Sequence, residues 1–169
     1  VLKGKILLNH MLDMEAKTRT FSFSYENFYF NDLKVEGTST MVKVKENENG
    51  NPQSTFTFEF KVNWQEGEFV TRNGTKVREW VEGFGSGVWS DNVFEVTGNW
   101  TTTFVNGNTH SYEVVIPLRR EVICYYFVSG SIDVERTNFS GVFDYGEGDC
   151  DNQAMFTFDN GTVIDITLN

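Results

Sequence analysis

The sequence predicts an all-β, antiparallel fold, and three observations carry that expectation. The first is alternation: in "STFTFEFKVNW", Phe56, Phe58, Phe60, Val62 and Trp64 share one parity, while Thr55, Thr57, Glu59, Lys61 and Asn63 share the other. A period of two puts one set in a core and the other in water, as a half-buried strand requires. The second is composition: aromatics make up 15% of the chain, with 16 phenylalanines, 15 glycines and only 2 prolines, a strand-and-turn mixture. The third is the lack of a helical period lasting the roughly 10–12 residues that a helix needs. "HMLDMEAK" near the start has room for one turn at most.

Weaker copies of the alternation mark further strands along the chain. They fall at Phe21, Phe23 and Tyr25, then at Phe94, Val96, Trp100 and Phe104, then at Tyr112, Val114 and Ile116, and last at Ala154, Phe156 and Phe158. Asn49-Gly50, Asn73-Gly74, Asn106-Gly107 and Asn160-Gly161 read as hairpin turns, because these residues tolerate the positive φ of a type I′ turn. Together the signals give an antiparallel meander of about a dozen strands. Valine followed two residues later by glycine recurs at Val35-Glu36-Gly37, Val81-Glu82-Gly83, Val96-Thr97-Gly98 and Val128-Ser129-Gly130. Glycine inside a strand marks a bulge or bend, so the sheet is expected to curve and close as a barrel or sandwich. "VICYYFV" at 122–128 is apolar at both parities, which reads as a strand covered on both faces.

The 169 residues suit a single domain, and no proline- or serine-rich linker or charge block divides residues 1–169. "KENENGNPQ" reads as a solvated hairpin end. Fourteen basic residues face 24 acidic ones, a balance that repels phosphate backbones and excludes nucleic acid as a partner. No apolar run approaches the roughly 20 residues of a membrane-spanning helix. The start, "VLKGKILLNH", lacks a signal peptide's apolar stretch and cleavage site. Cys124 and Cys150 either pair, closing a loop, or stand as two half-buried thiols.

Few residues offer chemistry. His10 and His110 are isolated in turn-like polar settings, which leaves zinc sites and nucleophile–histidine pairs without support. "DYGEGDCDNQ" gathers Asp144, Asp149 and Asp151 around two glycines. It is a structural turn or a calcium loop, since calcium takes carboxylate oxygens from such segments. Acidic residues are plentiful enough for a carboxylate glycoside hydrolase, yet no pair is singled out. Trp64 and Trp100 sit on apolar strand faces and read as core. Trp80 shares its parity with Lys76 and Arg78, opposite Val77 and Val81, and is expected to point to water. The glycine-rich stretch "GFGSGVWSDN" follows, with Phe84 and Trp89. Flat aromatics on loops serve sugar or peptide recognition, so Trp80, Phe84 and Trp89 are the candidate ligand-binding residues. Asn73, Asn99, Asn138 and Asn160 begin triplets of the glycosylation acceptor pattern.

At "DYGEGDCDNQAMFTFDNG" the chain resembles the C-terminal end of a family of predicted secreted lipoproteins of Bacteroidota, on Asp144, Tyr145, Gly146, Gly148, Cys150, Asp151, Asn152 and Ala154. "KGKI", "FYFNDLKVEGT", "VFEVTGNW" and "PLRREVICYYFVSGSI" also resemble that family. The resemblance implies an extracytoplasmic location, in the periplasm, on the outer-membrane surface or secreted, and a β architecture, with no known reaction. In similar proteins an upstream segment holds a second cysteine-containing turn and a lipid-modified N-terminus. The resemblance therefore implies a processed or truncated chain, a lipid anchor on a preceding part, and a second route for the cysteines to pair.

The functional expectation is a non-enzymatic extracytoplasmic binding or structural surface domain with a glycan or protein partner. A lipocalin-like carrier of a small apolar ligand is the alternative, and a carboxylate hydrolase a more distant one. No cofactor is expected beyond calcium.

Overall fold

A computed structural model describes residues 1–64 and 67–169. Eleven strands follow one another: β1 (Leu2–Asp13), β2 (Thr18–Phe30), β3 (Leu33–Val44), β4 (Gln53–Asn63), β5 (Phe69–Glu82), β6 (Val93–Phe104), β7 (Thr109–Glu121), β8 (Ser129–Arg136), β9 (Phe139–Glu147), β10 (Gln153–Phe158) and β11 (Val163–Thr167). They form one antiparallel sheet whose spatial order is the chain order. The all-β meander is as the alternation predicts.

The sheet does not close. β1 and β11 are its two edges, so the expected barrel does not form. Extensive contact runs only between strands adjacent in sequence. The accessible surface is 10970 Å², against roughly 8,500 Å² for a compact monomer of this mass. That surplus is what a sheet without a facing layer should show.

Strand register sorts the side chains into two faces. Phe23, Ser39, Phe58, Gly74, Trp100, Tyr112 and Val134 follow one another across β2–β8, and Phe143, Phe156 and Ile164 share a row across β9–β11. This is the apolar face. The opposite face carries Thr40, Thr57, Thr75, Asn99 and Glu113 in line. Burial is uneven along the apolar face. Its core is Leu118, Ile132, Val134 and Phe156, all on β7–β10, whereas every residue of β1 is exposed.

Glycines permit the curvature. Gly37, Gly83, Gly98 and Gly130, the four glycines of the valine echo, all have positive φ. At Gly37 (φ 126°) and Gly98 (φ 123°), a Cβ would overlap the backbone carbonyls of Glu59 and Thr75 on the next strand. Gly98→Ala is therefore expected to cost about 2 kcal/mol from the strained dihedral and the overlap. Urea titration of that variant checks it, and an unchanged midpoint would show that the strand shifts freely.

Two expectations from the sequence are corrected by the strands. Asn73-Gly74 is not a turn but lies within β5. A Cβ on Gly74 would strike the Cβ of Trp100, so this glycine makes room for a tryptophan on β6. Asn49-Gly50, Asn106-Gly107 and Asn160-Gly161 do fall in connections. A further tight turn lies at Asn31-Asp32, where both residues have positive φ, 47° and 65°, the type I′ signature. "VICYYFV" is not a doubly covered strand but the loop joining β7 to β8. Its apolar residues divide between inside and outside: Cys124 and Val128 are fully buried while Ile123 and Tyr125 are exposed.

Candidate functional site

The meander places alternate connections at opposite ends of the sheet. One end carries 14–17, 45–52, 83–92, 122–128 and 148–152, and the other has the tight turns 31–32, 105–108, 137–138 and 159–162. The long loops are cross-braced. Cys124 and Cys150 form a disulfide, with Cα atoms 5.6 Å apart, tying loop 122–128 to 148–152. The backbone amide of Val122 donates to the Asn92 carbonyl at 3.1 Å, joining the same loop to 83–92.

Loop 83–92 is built from Gly83, Gly85 and Gly87, all at positive φ, and a 3-10 turn at Trp89–Asp91. The Ser86 hydroxyl donates to Asp91 Oδ1 at 3.0 Å and accepts from the Val88 amide at 3.0 Å. Buried Asn92 donates its side-chain amide to the Trp89 carbonyl at 2.8 Å. These bonds hold the loop that carries two of the three aromatic candidates, Phe84 and Trp89. Trp80 shares parity with Lys76 and Arg78 as expected, but that parity belongs to the apolar face, where Trp80 is in register with Phe94. It is half-buried, 5.3 Å from the Phe94 ring and 4.9 Å from Phe84, and its indole donates to the Glu82 carbonyl at 2.7 Å. Phe84 and Trp89 are 54% and 73% exposed. Trp89 lines a hollow of about 500 Å³ with Arg78, Phe94, Val96, Arg120, Val122 and Phe127, so the loop aromatics continue the apolar face at its looped end.

The other predicted residues fall elsewhere. Asp144 Oδ1 accepts from the Gly146 amide at 2.7 Å and Asp151 Oδ1 from the Gln153 amide at 2.9 Å, the bonds that aspartates make in tight turns. Asp144, Asp149 and Asp151 border a hollow of about 380 Å³. Among the described residues no three histidine, cysteine or acidic side chains gather as metal ligands. His10 and His110 are not in turns: they lie on β1 and β7, each 4.7 Å from a phenylalanine ring, Phe21 and Phe104. Trp100 is half-buried, and Trp64 is exposed just beyond β4.

Charge is divided between the faces in a way no single strand reveals. Glu36, Glu59, Glu79, Glu95, Glu113 and Asp133 all take the polar face by register. Lys43, Arg72, Lys76, Arg78 and Arg136 take the apolar face, each over an aromatic ring. Lys76 stands 4.1 Å and Arg78 3.8 Å from the centres of Trp100 and Phe94, in cation–π range. Among the described residues none of these five makes an ion pair, whereas Lys5, Lys34 and Arg119 on the other face each do. Burial, reinforced by Arg72, holds the Lys76 ammonium below its ordinary pKa.

Over β6–β11 the sheet curls toward its apolar face. Trp100 on β6 and Ile164 and Ile166 on β11 thereby line one cavity of about 430 Å³, with Tyr112, Ile132, Val134, Arg136, Phe139, Phe143, Tyr145, Phe156 and Phe158. Burial pushes the Tyr145 hydroxyl up, so it stays protonated at neutral pH. Sequence reading did not find this cavity. Its signal was the shared parity of Phe139, Phe143 and Tyr145, of Phe156 and Phe158, and of Ile164 and Ile166, with one arginine at the parity of Val134.

The described carboxylates with shifted pKa are Asp32, Glu36 and Glu79, all lowered, chiefly by hydrogen bonds from Lys3, Lys34 and Asn51 respectively. A general acid needs the opposite shift. No helix among the described residues is long and apolar enough to cross a membrane. No protein-family model matches the chain, and no match is found among curated proteins or solved structures.

Proposed function

We propose that the protein is a non-enzymatic binding domain acting outside the cytoplasm through its apolar, cation-bearing face. The observation that carries this reading is the segregation of charge: Lys43, Arg72, Lys76, Arg78 and Arg136, none ion-paired among the described residues, share one face with most of the aromatics, and the strand carboxylates face away. Lys61, over Phe69, is the cation of this kind on the other face. A surface kept only for solubility has no need of that sorting, because mixed charge on both faces serves as well. Trp80, Phe84 and Trp89 are the contact residues for a glycan or protein partner at the looped end, where the disulfide and the loop hydrogen bonds hold them ready. Pre-set aromatics bind with little ordering cost.

Replacing Trp80, Phe84 and Trp89 together with alanine is expected to abolish binding on an array of glycans and cell-wall polymers. The Phe84→Ala/Trp89→Ala pair alone should leave the melting temperature within a few degrees, because both rings are exposed, whereas half-buried Trp80, packed on Phe94, adds a stability loss of its own. A collapse of stability in that pair would show that the loop rings serve packing. Running the array with calcium and with chelator tests the aspartates at 144, 149 and 151: a calcium-dependent signal would assign them a metal.

A second reading, a carrier of a small apolar ligand, is favoured by the curled cavity over β6–β11. Its volume and mostly apolar lining suit a small molecule.

A further inference from the structure

The cavity over β6–β11 has a chemical polarity of its own. Its walls are aromatic and aliphatic, and among the described residues no acidic side chain lines it and Arg136 is its one charged lining residue. Arg136 ends β8, exposed at the mouth, with its guanidinium 5.4 Å from the Tyr112 ring centre and 5.3 Å from that of Phe139. The neighbouring carboxylates on its own strand, Glu135 and Asp133, face the other side of the sheet, so Arg136 has no ion-pair partner among the described residues. On the near side, Arg72 stands 5.8 Å from the centre of the Trp100 ring, which places beside the same wall a second cation without an ion-pair partner among the described residues.

A guanidinium set on aromatic rings at the rim of an apolar cavity fits one kind of guest. The body of that guest must be apolar to fill the space. Its end must be anionic, because the cations there have no carboxylate partner among the described residues and offer charge-assisted hydrogen bonds. A neutral hydrocarbon would leave Arg136 unused, and an acidic polymer would leave the apolar walls in contact with polar groups.

We infer that this cavity binds a single-chain anionic amphiphile, its alkyl chain against Phe143, Phe156, Phe158, Ile164 and Ile166 and its carboxylate on Arg136. The inference rests on the carrier reading and adds the ligand class. The half-buried state of Trp100 on the wall supplies a reporter, since a chain seated there changes its fluorescence.

The test titrates dodecanoate and dodecanol separately into the full chain, following tryptophan fluorescence and heat. Dodecanoate is expected to bind about tenfold tighter than the alcohol, the discrimination a charged hydrogen bond supplies. Arg136→Gln should erase that preference with the urea midpoint unchanged, because the side chain is exposed, and Arg136→Lys should keep most of it. Equal binding of acid and alcohol would overturn the headgroup assignment while leaving the carrier reading intact. Binding of neither would overturn both. Vesicles of phosphatidylcholine with and without phosphatidylglycerol separate the remaining source of the same chemistry: attachment to anionic vesicles, with none of free dodecanoate, would assign the face to a membrane surface and overturn the cavity site.

Discussion

Phe156→Ala is expected to destabilise the protein by about 3–5 kcal/mol, the range for truncating a buried phenylalanine. Phe156 is among the most buried rings and part of the small core with Leu118, Ile132 and Val134. It sits between Phe143 and Ile164 in register and packs edge-on against Phe139 and Phe158. The cavity beside Phe156 leaves no side chain seated to fill the gap, so the lost contacts are not recovered. With total stabilities of about 5–15 kcal/mol typical of single domains, the variant loses a large share of its folding free energy. Leu8→Ala, on the fully exposed β1, is the control and should change the urea midpoint little. Equal effects at the two sites would mean that the core over β7–β10 does not hold the fold.

Removing the disulfide is the second large effect. Replacing Cys124 and Cys150 together with alanine is expected to cost roughly 3 kcal/mol in the chain-entropy model. For a chain of this size that is a fall of about 6–12 °C in melting temperature. The bond spans 26 residues, and the closed loop contains β8 and β9, two strands of the core. It also ties loop 122–128, whose Val122 amide bonds the Asn92 carbonyl of loop 83–92, to 148–152, so the double variant should loosen the hollow around Trp89 and weaken binding at that end. Differential scanning calorimetry with and without reductant checks the stability. An unchanged transition would show that strand pairing alone fixes the loops.

Much of the fold was legible because the apolar face writes itself into each strand as a period of two. Phe56 to Val62 and Phe156 to Phe158 were read correctly from that period alone. The errors have physical causes of the same kind. Trp80 was assigned to water because it keeps company with Lys76 and Arg78, and parity cannot show that these cations lie over Trp100 and Phe94. Asn73-Gly74 has the residues of a hairpin, but its glycine answers to the bulk of Trp100 on another strand. "VICYYFV" is apolar at both parities because a disulfide loop needs buried anchors and here also exposes Ile123 and Tyr125, a pattern identical in one dimension to a covered strand. The cavity was invisible for a different reason. Its walls come from six strands, β6–β11, and only register and curl bring them together.

The order of strands in space repeats the order along the chain, and this makes folding nearly a one-dimensional problem. Each hairpin can form from its own residues and then present an edge to the next strand. The entropy of closing long loops is thus spread over many short steps. Cooperativity passes from neighbour to neighbour, as in stacked-repeat proteins. The densely packed strands β7–β10 are the natural seed. β1, held by a single neighbour, is the last to zip and the first to peel.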